Sequence, residues 1–431
     1  MKKINFVTLG CSKNVVDTEH MMAQAARAGY RLTFDDDSTD AKIVVINTCG
    51  FIADAKQESI DTILSFAAAK SRGEIDRLFV FGCLSERYAD ELREEIPEVD
   101  RYFGVHDFEG VLQALGVSYD PVAATERRLT TPSHYAYLKI SEGCDRRCGY
   151  CAIPLIRGDH RSVPMEELVA EAEKLAAGGV RELIVIAQDT TYYGLDLYGS
   201  RRLAELLRRL CRIDGIEWIR LHYAYPAGFP DDVIRTMRDE PKICKYLDIP
   251  LQHISDRQLR AMKRGIDRAG TLRLIDRLRA EIPDLVLRTT LLVGYPGETE
   301  EDFEELMEFV RSVRFERLGV FPYSEEEGTY SARMLRDDVP EAVKQQRADR
   351  IMELQASCSL AWNSQRVGRT ERVIVDDLVD GRYVCRSQYD SPEVDTEIYV
   401  RSKEPLRIGS FYRARIIAAD DYDLEAEVIV E

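Results

Sequence analysis

The stretch SEGCDRRCGYC holds Cys144, Cys148 and Cys151 in one short loop. Thiolates are soft ligands suited to iron–sulfur clusters, and three of them can hold three irons of a four-iron cubane while the fourth iron stays open. A structural zinc site wants four protein ligands, so here it would need a remote partner such as His160 or His134. A second set of three is dispersed: Cys11 ends KINFVTLGC, Cys49 ends KIVVINTC and Cys83 ends RLFVFGC, each beside a glycine, Gly10, Gly50 or Gly82. If these runs are parallel strands, their C-terminal ends converge on the edge where open α/β sheets bind ligands, and the three thiols form a second cluster site. The bland alternative is a set of buried structural thiols. Cys211, Cys244, Cys358 and Cys385 have no partner at ligand spacing, and none of the six histidines sits in a paired metal spacing.

Elements that would position these cysteines can be read from the pattern. Residues 1–116 alternate short β-rich apolar runs with helical stretches, including a face of Ile60, Ile63, Leu64 and Ala67, and Gly29 closes a helix, which predicts a doubly wound α/β domain. The polar, Pro- and Thr-bearing segment 117–133 reads as a linker. Across 134–365 six strand–loop–helix units, AYLKIS, ELIVIAQ, WIRLHYAYP, YLDIPLQ, VLRTTLLVG and RLGVFPYS, predict a partial (β/α)6 barrel with function at the strand C-terminal ends. Pro164 and Gly178 bracket one of its helices, and Thr299 with Asp302 can cap another. From 366 to 431 short strands with turn signals predict a small antiparallel β-barrel.

Bulk properties narrow the class. A chain of 431 residues holds two to four domains at roughly 150 residues each. Its net charge of -17 disfavours broad phosphate-driven binding of nucleic acid without excluding a local basic groove. Ten cysteines are too few for a disulfide scaffold in a chain of this length and indicate a reducing compartment. The start MKKINFVTLGC has the outline of a lipoprotein leader, but its apolar stretch is short and alternates like a strand. No apolar run approaches the roughly 20 residues of a membrane span, and the expected location is the cytoplasm with no membrane association.

The Cys-x3-Cys-x2-Cys spacing, with the aromatic Tyr150 just before its last cysteine, resembles the radical S-adenosylmethionine (SAM) superfamily. That resemblance implies that SAM chelates the open iron of a 4Fe–4S cluster on Cys144, Cys148 and Cys151 and is cleaved to a 5'-deoxyadenosyl radical. It implies SAM contacts at Tyr150, at Gln188 and Asp189 ending the second strand, and at Gly294 in VGYPGETEEDF, where a backbone without a side chain lets a nucleoside approach. Arg220 and Arg264 are further candidates for the methionine carboxylate or ribose.

Taken together, a three-cysteine α/β domain, such a barrel and a terminal barrel resembling a TRAM domain look like the methylthiotransferase family over essentially the whole chain. The resemblance implies a second, auxiliary 4Fe–4S cluster on Cys11, Cys49 and Cys83 whose open iron carries sulfur. One SAM would methylate that sulfur and another would supply the radical that takes hydrogen from an unreactive carbon. GCSKNVVDTE and IAQDTTYYG resemble the branch that modifies an aspartate of small-subunit ribosomal protein twelve, whereas branches acting on tRNA adenosines read closer to GCQMN and GQNVN. The expected partners are that protein or the small ribosomal subunit, an electron donor such as flavodoxin or ferredoxin, and a sulfur source. The alternatives are a tRNA adenosine methylthiotransferase and, more distantly, a non-catalytic iron–sulfur ribosome assembly factor. The 366–431 segment carries ten Lys plus Arg against fifteen Asp plus Glu. That acidity suits a basic ribosomal protein better than RNA, or serves solubility alone.

Overall fold

Runs rich in Val, Ile and Phe fit a pleated, buried surface, and those of the first part pair as a parallel sheet. The computed structural model describes residues 2–36 and 40–429; Met1 and 37–39 of the 1–116 segment, and Val430 and Glu431 of the 366–431 segment, lie outside the described residues. The first part runs β1 (Lys3–Thr8), α1 (Ser12–Arg27), β2 (Arg31–Phe34), β3 (Ile43–Thr48), α2 (Ala53–Ser71), β4 (Arg77–Gly82), α3 (Cys83–Glu95), β5 (Arg101–Phe103) and α4 (Phe108–Leu115). Its strand order is β2-β1-β3-β4-β5, all parallel. Ile4, Phe6, Val45 and Phe79 face one helical layer, and Val44, Ile46, Leu78 and Val80 the other. Each such side chain contributes roughly 1.5–3 kcal/mol by burial. The α2 face differs from expectation at Leu64, which is 47% exposed while Ile63 and Ala67 are buried.

The 117–133 segment is packed, with a short 3-10 turn at Pro121–Ala123. Its Arg127 is buried between Glu19 of α1 and Glu171, to which it bonds at 2.7 Å. A polar segment reads as a loose linker only if the partners of its charges are out of view.

Next come β6 (Tyr135–Lys139), β7 (Ser141–Glu142), α5 (Ile153–Ile156), β8 (Arg161–Ser162), α6 (Met165–Ala177), β9 (Glu182–Ile186), α7 (Leu195–Tyr198), α8 (Leu203–Leu210), β10 (Trp218–Leu221), α9 (Asp231–Asp239), β11 (Ile243–Asp248), α10 (Asp256–Ala261), α11 (Arg268–Glu281), β12 (Val286–Val293), α12 (Glu300–Val313), β13 (Arg317–Pro322), α13 (Tyr330–Met334) and α14 (Glu341–Arg366). Six parallel strands in the order β13-β12-β11-β10-β9-β6 form the partial barrel. Pro164 and Gly178 flank α6, and Thr299 with Asp302 forms a reciprocal capping box on α12, as their spacing predicts. The first part docks on this barrel partly through buried Glu326, which accepts from the Ile52 amide at 2.8 Å and pairs with Arg87 and Lys56.

A closed barrel of β14 (Thr370–Val379), β15 (Arg382–Ser387), β16 (Ile398–Arg401), β17 (Phe411–Ala419) and β18 (Leu424–Val428) completes the chain, in the order β14-β15-β16-β18-β17. Its pairings are antiparallel except β16 with β18, which is parallel. The crossover over β17 places two strands of the same direction side by side, which short-range patterning does not reveal. Ile374 and Phe411 of this barrel pack on Trp218, Cys244, Tyr246 and Val286 of the larger one.

Candidate active site

Directly after β6, the small β7–β8 ladder ties Ser141 to Ser162 and closes a loop that carries Cys144, Cys148 and Cys151. The loop is pinned by the Cys144 amide donating to the Gly158 carbonyl at 3.0 Å and the Gly149 amide donating to Met262 at 2.9 Å. Cys11 precedes α1, Cys49 follows β3 and Cys83 opens α3, so the parallel sheet does bring the three strand ends together. Their sulfurs gather around Asn14, whose Oδ1 lies 3.9 Å from Cys11 Sγ and 4.0 Å from Cys83 Sγ. The loops touch closely enough that a Cβ on Gly50 would fall 2.5 Å from the Cys83 backbone.

Both triads open into one cavity enclosing ≈ 1310 Å³ of empty space, part of it open to solvent. All six cysteines are free thiols. Burial pushes Cys83 up to about 11 and both Cys144 and Cys151 up to about 12, so these thiols stay protonated until a cation at the sulfur offsets the loss of water. Among the described residues no three His, Cys, Asp or Glu side chains converge on a single metal ion. A cubane takes each thiolate on a different iron, so its ligands need not meet at one point. The histidines weighed for zinc are engaged elsewhere, His160 with Ser162 at 3.0 Å and His134 with Asp376 at 2.7 Å.

Of the other residues singled out from sequence, Tyr150, Gln188 and Arg264 line the cavity. Arg264 donates to Cys148 Sγ at 3.3 Å, to the Tyr150 hydroxyl at 3.1 Å and to the Pro250 carbonyl at 2.5 Å. Three do not reach the cavity wall. Asp189 is turned away, accepting from Thr191 and from Arg146 Nε at 2.8 Å. Arg220 faces the terminal barrel, bonded to Glu182 at 2.8 Å and to the carbonyls of Ser387 and Gln388, because a buried guanidinium needs a carboxylate and the adjacent β9 supplies one. Gly294 meets the Lys344 side chain and donates to Glu298 at 2.8 Å, so its missing side chain makes room for α14.

Local spacing gave no sign of the charges between the triads. Arg157 is 2% exposed and donates to Asn14 Oδ1 at 2.6 Å and Glu142 Oε2 at 2.8 Å, with Asp17 at 3.3 Å. Burial works to raise the Glu142 carboxyl, yet Lys139 and Arg157 hold it well below the usual range. This ionic bridge joins α1 of the first part to the β7 ladder beneath the loop triad. Arg146 and Arg264 both stack on the Tyr225 ring, at 4.2 and 4.4 Å from its centre. The one available signal was the Tyr pair of LHYAYP at a strand end.

Residues 3–104 match the Uncharacterized protein family UPF0004, residues 138–310 the Radical SAM superfamily and residues 367–429 the TRAM domain. The chain is 52% identical to the ribosomal protein uS12 methylthiotransferase RimO of Bacteroides thetaiotaomicron, covering 99% of this chain and 98% of that protein. It is 54% identical to the RimO of Porphyromonas gingivalis, covering 99% of each. The chain belongs to the uS12 methylthiotransferase family. The solved radical SAM methyltransferase TsrM of Kitasatospora setae shares the fold, with a TM-score of 0.58 at 14% identity over 77% of this chain and 74% of that one.

For a uS12 methylthiotransferase, superfamily membership implies a 4Fe–4S cluster and SAM, and the residues fit both. Three thiols of one loop would hold three irons of such a cluster and leave the fourth to the cofactor. Beside them, among the described residues, the buried Gln188 Oε1 is an acceptor without a partner and the buried Arg146 Nη2 a donor without one. An amino acid moiety would offer an amino N–H to the first and a carboxylate oxygen to the second.

Proposed function

We propose that this chain methylthiolates the β-carbon of an aspartate in small-subunit ribosomal protein uS12, in the cytoplasm, using two 4Fe–4S clusters and SAM. The observation that carries the reading is the opening of both cysteine triads into a single cavity. Cys144, Cys148 and Cys151 hold the SAM-binding cluster and Cys11, Cys49 and Cys83 the auxiliary one. When bound, these groups supply radical hydrogen abstraction and the methylthio group, the hard chemistry that side chains cannot provide.

The chain's own residues orient and enclose. Gln188 and Arg146 receive the polar end of SAM, Arg264 fixes Cys148 and Tyr150, and the Arg157–Glu142–Asp17 bridge keeps the two triads facing each other. Segments 1–116, 134–365 and 366–431 act as sulfur station, radical source and acidic docking barrel, joined by 117–133. Flavodoxin or ferredoxin supplies the electron, and sulfide can serve as the sulfur source. No helix among the described residues is long and apolar enough to cross a membrane.

The test incubates anaerobically reconstituted protein, SAM, reductant and sulfide with uS12 or intact small subunits, and in parallel with isopentenyladenosine-containing tRNA. A methylthio mass gain on uS12 is expected. A gain on tRNA with none on protein or subunits would establish the tRNA activity instead.

A further inference from the structure

We infer that Lys13 is the residue that selects an acidic side chain, by pairing its ammonium with the carboxylate of the target aspartate; this rests on the uS12 methylthiotransferase reading above. Lys13 lines the shared cavity, is 7% exposed and stands 3.0 Å over the centre of the Tyr223 ring. Among the described residues it has no carboxylate within ion-pairing distance. The other cations of the cavity have other work: Arg146 pairs with Asp189 through Nε and turns its Nη2 to the cofactor's carboxylate, Arg157 is held by Glu142 and Asp17, and Arg264 by Cys148 and a carbonyl.

A buried charge without a counter-charge is costly, and an aromatic face offsets only part of that cost. An incoming carboxylate completes the pair, whereas a neutral amide of the same shape does not. Position argues in the same direction. Lys13 is two residues from Cys11 of the strand-end triad, and Tyr223 beneath it follows β10 at the mouth of the barrel that holds the other triad. A carboxylate held there has its β-carbon one carbon away, between the sulfur station and the radical source. Lys13 is therefore the specificity-determining contact, reading the group next to the bond that reacts.

The experiment measures binding of reconstituted protein to uS12 and to uS12 whose modified aspartate, located by tandem mass spectrometry of the wild-type product, is replaced by asparagine. Wild-type protein is expected to prefer the aspartate form by at least about tenfold. Lys13→Met should bring that ratio close to one, and Lys13→Arg should restore part of it. Iron per chain is measured in every variant, so that a lost cluster is not read as lost recognition. A ratio of one in the wild type, or a ratio that survives in Lys13→Met with its iron retained, overturns the assignment. So does a fall in SAM affinity with uS12 affinity unchanged, because the carboxylate held would then be the cofactor's. If wild-type protein does not methylthiolate uS12 at all, the underlying reading fails and the assignment falls with it.

Discussion

Cys144, Cys148 and Cys151 share one loop, pinned by the Cys144 amide to Gly158, by the Gly149 amide to Met262 and by a two-residue ladder, whereas Cys11, Cys49 and Cys83 meet only because three parallel strands end side by side. The ligands of the first site are contiguous in sequence, and their loop is steadied from outside by Met262, Ser331 and Arg264. The second is a property of a whole sheet and of the glycines that let its loops approach. The sites should therefore fail independently. Replacing Cys144, Cys148 and Cys151 together by Ala should halve the iron of reconstituted protein and abolish SAM cleavage and methylthiolation alike. Replacing Cys11, Cys49 and Cys83 should remove the other half and all sulfur insertion while reductive SAM cleavage persists. Zinc in place of iron, or product from the second variant, would break the distinction.

Glycine substitutions sharpen the same contrast at lower amplitude. A Cβ on Gly50 would meet the carbonyl carbon and oxygen of Cys83 at 2.5 Å, backbone that cannot rotate aside. A Cβ on Gly149, inside the contiguous loop, would meet the Tyr295 hydroxyl at 2.8 Å and Ser331 Oγ at 3.1 Å, both ends of side chains, and the Ala261 carbonyl only at 3.2 Å. Gly50→Ala is expected to lose the auxiliary half of the iron, and Gly149→Ala to retain more of the other half. Equal losses would show that the loop triad is no more self-contained than the sheet triad.

Between the sites, Arg157→Leu removes the cation that Glu142, Asp17 and Asn14 share. Glu142 and Asp17 are half-buried and both keep Lys139 as a partner, so the cost is that of the lost hydrogen bonds to charged groups, about 2–3 kcal/mol, read as a lower denaturant midpoint at pH 7. Arg157→Lys should recover part of it, since a point charge replaces the fork but not its geometry. An unchanged midpoint in Arg157→Leu would mean that the triads are held facing each other by something other than this bridge.

This contrast also governs what could be read beforehand. The loop triad was legible because its chemistry is written in adjacent residues, and the strand-end triad because each cysteine closes a recognisable strand. The strands β2 and β5 were missed: they are four and three residues long, with little period to detect. Arg157 was missed because PLIRGDH gives no sign that its arginine turns inward, and Lys13 because the ring it covers is 210 residues away. Gly294 and Arg220 were placed at the cofactor by analogy of position, and the structure sets them off the cavity wall, packed against Lys344 and Glu182. Contact between residues far apart in sequence is the common element in most of these misses.

The smallest effect expected lies in the dock that brings the sheet triad up to the loop triad. His20 of α1 lies 3.7 Å from Glu171 of α6, beside the buried Arg127. Burial, and then the charges of Arg127 and Lys139, bring its pKa down from 6.5 to about 4 against the pull of Glu171. The folded protein thus holds His20 neutral, while the unfolded chain binds a proton near pH 6.5. The contribution to stability is fully present above pH 6.5 and is lost as pH falls toward 4, in total about 3 kcal/mol. Denaturant unfolding at pH 7.5 and pH 5 measures it, with His20→Gln as the reference for every other titrating group. The stability drop between those values should be smaller in His20→Gln than in the wild type by about 2 kcal/mol. Equal drops would mean that acid does not act on this dock through His20, and would leave Arg127 with Glu19 and Glu171 as the contact joining α1 to α6 at all pH values.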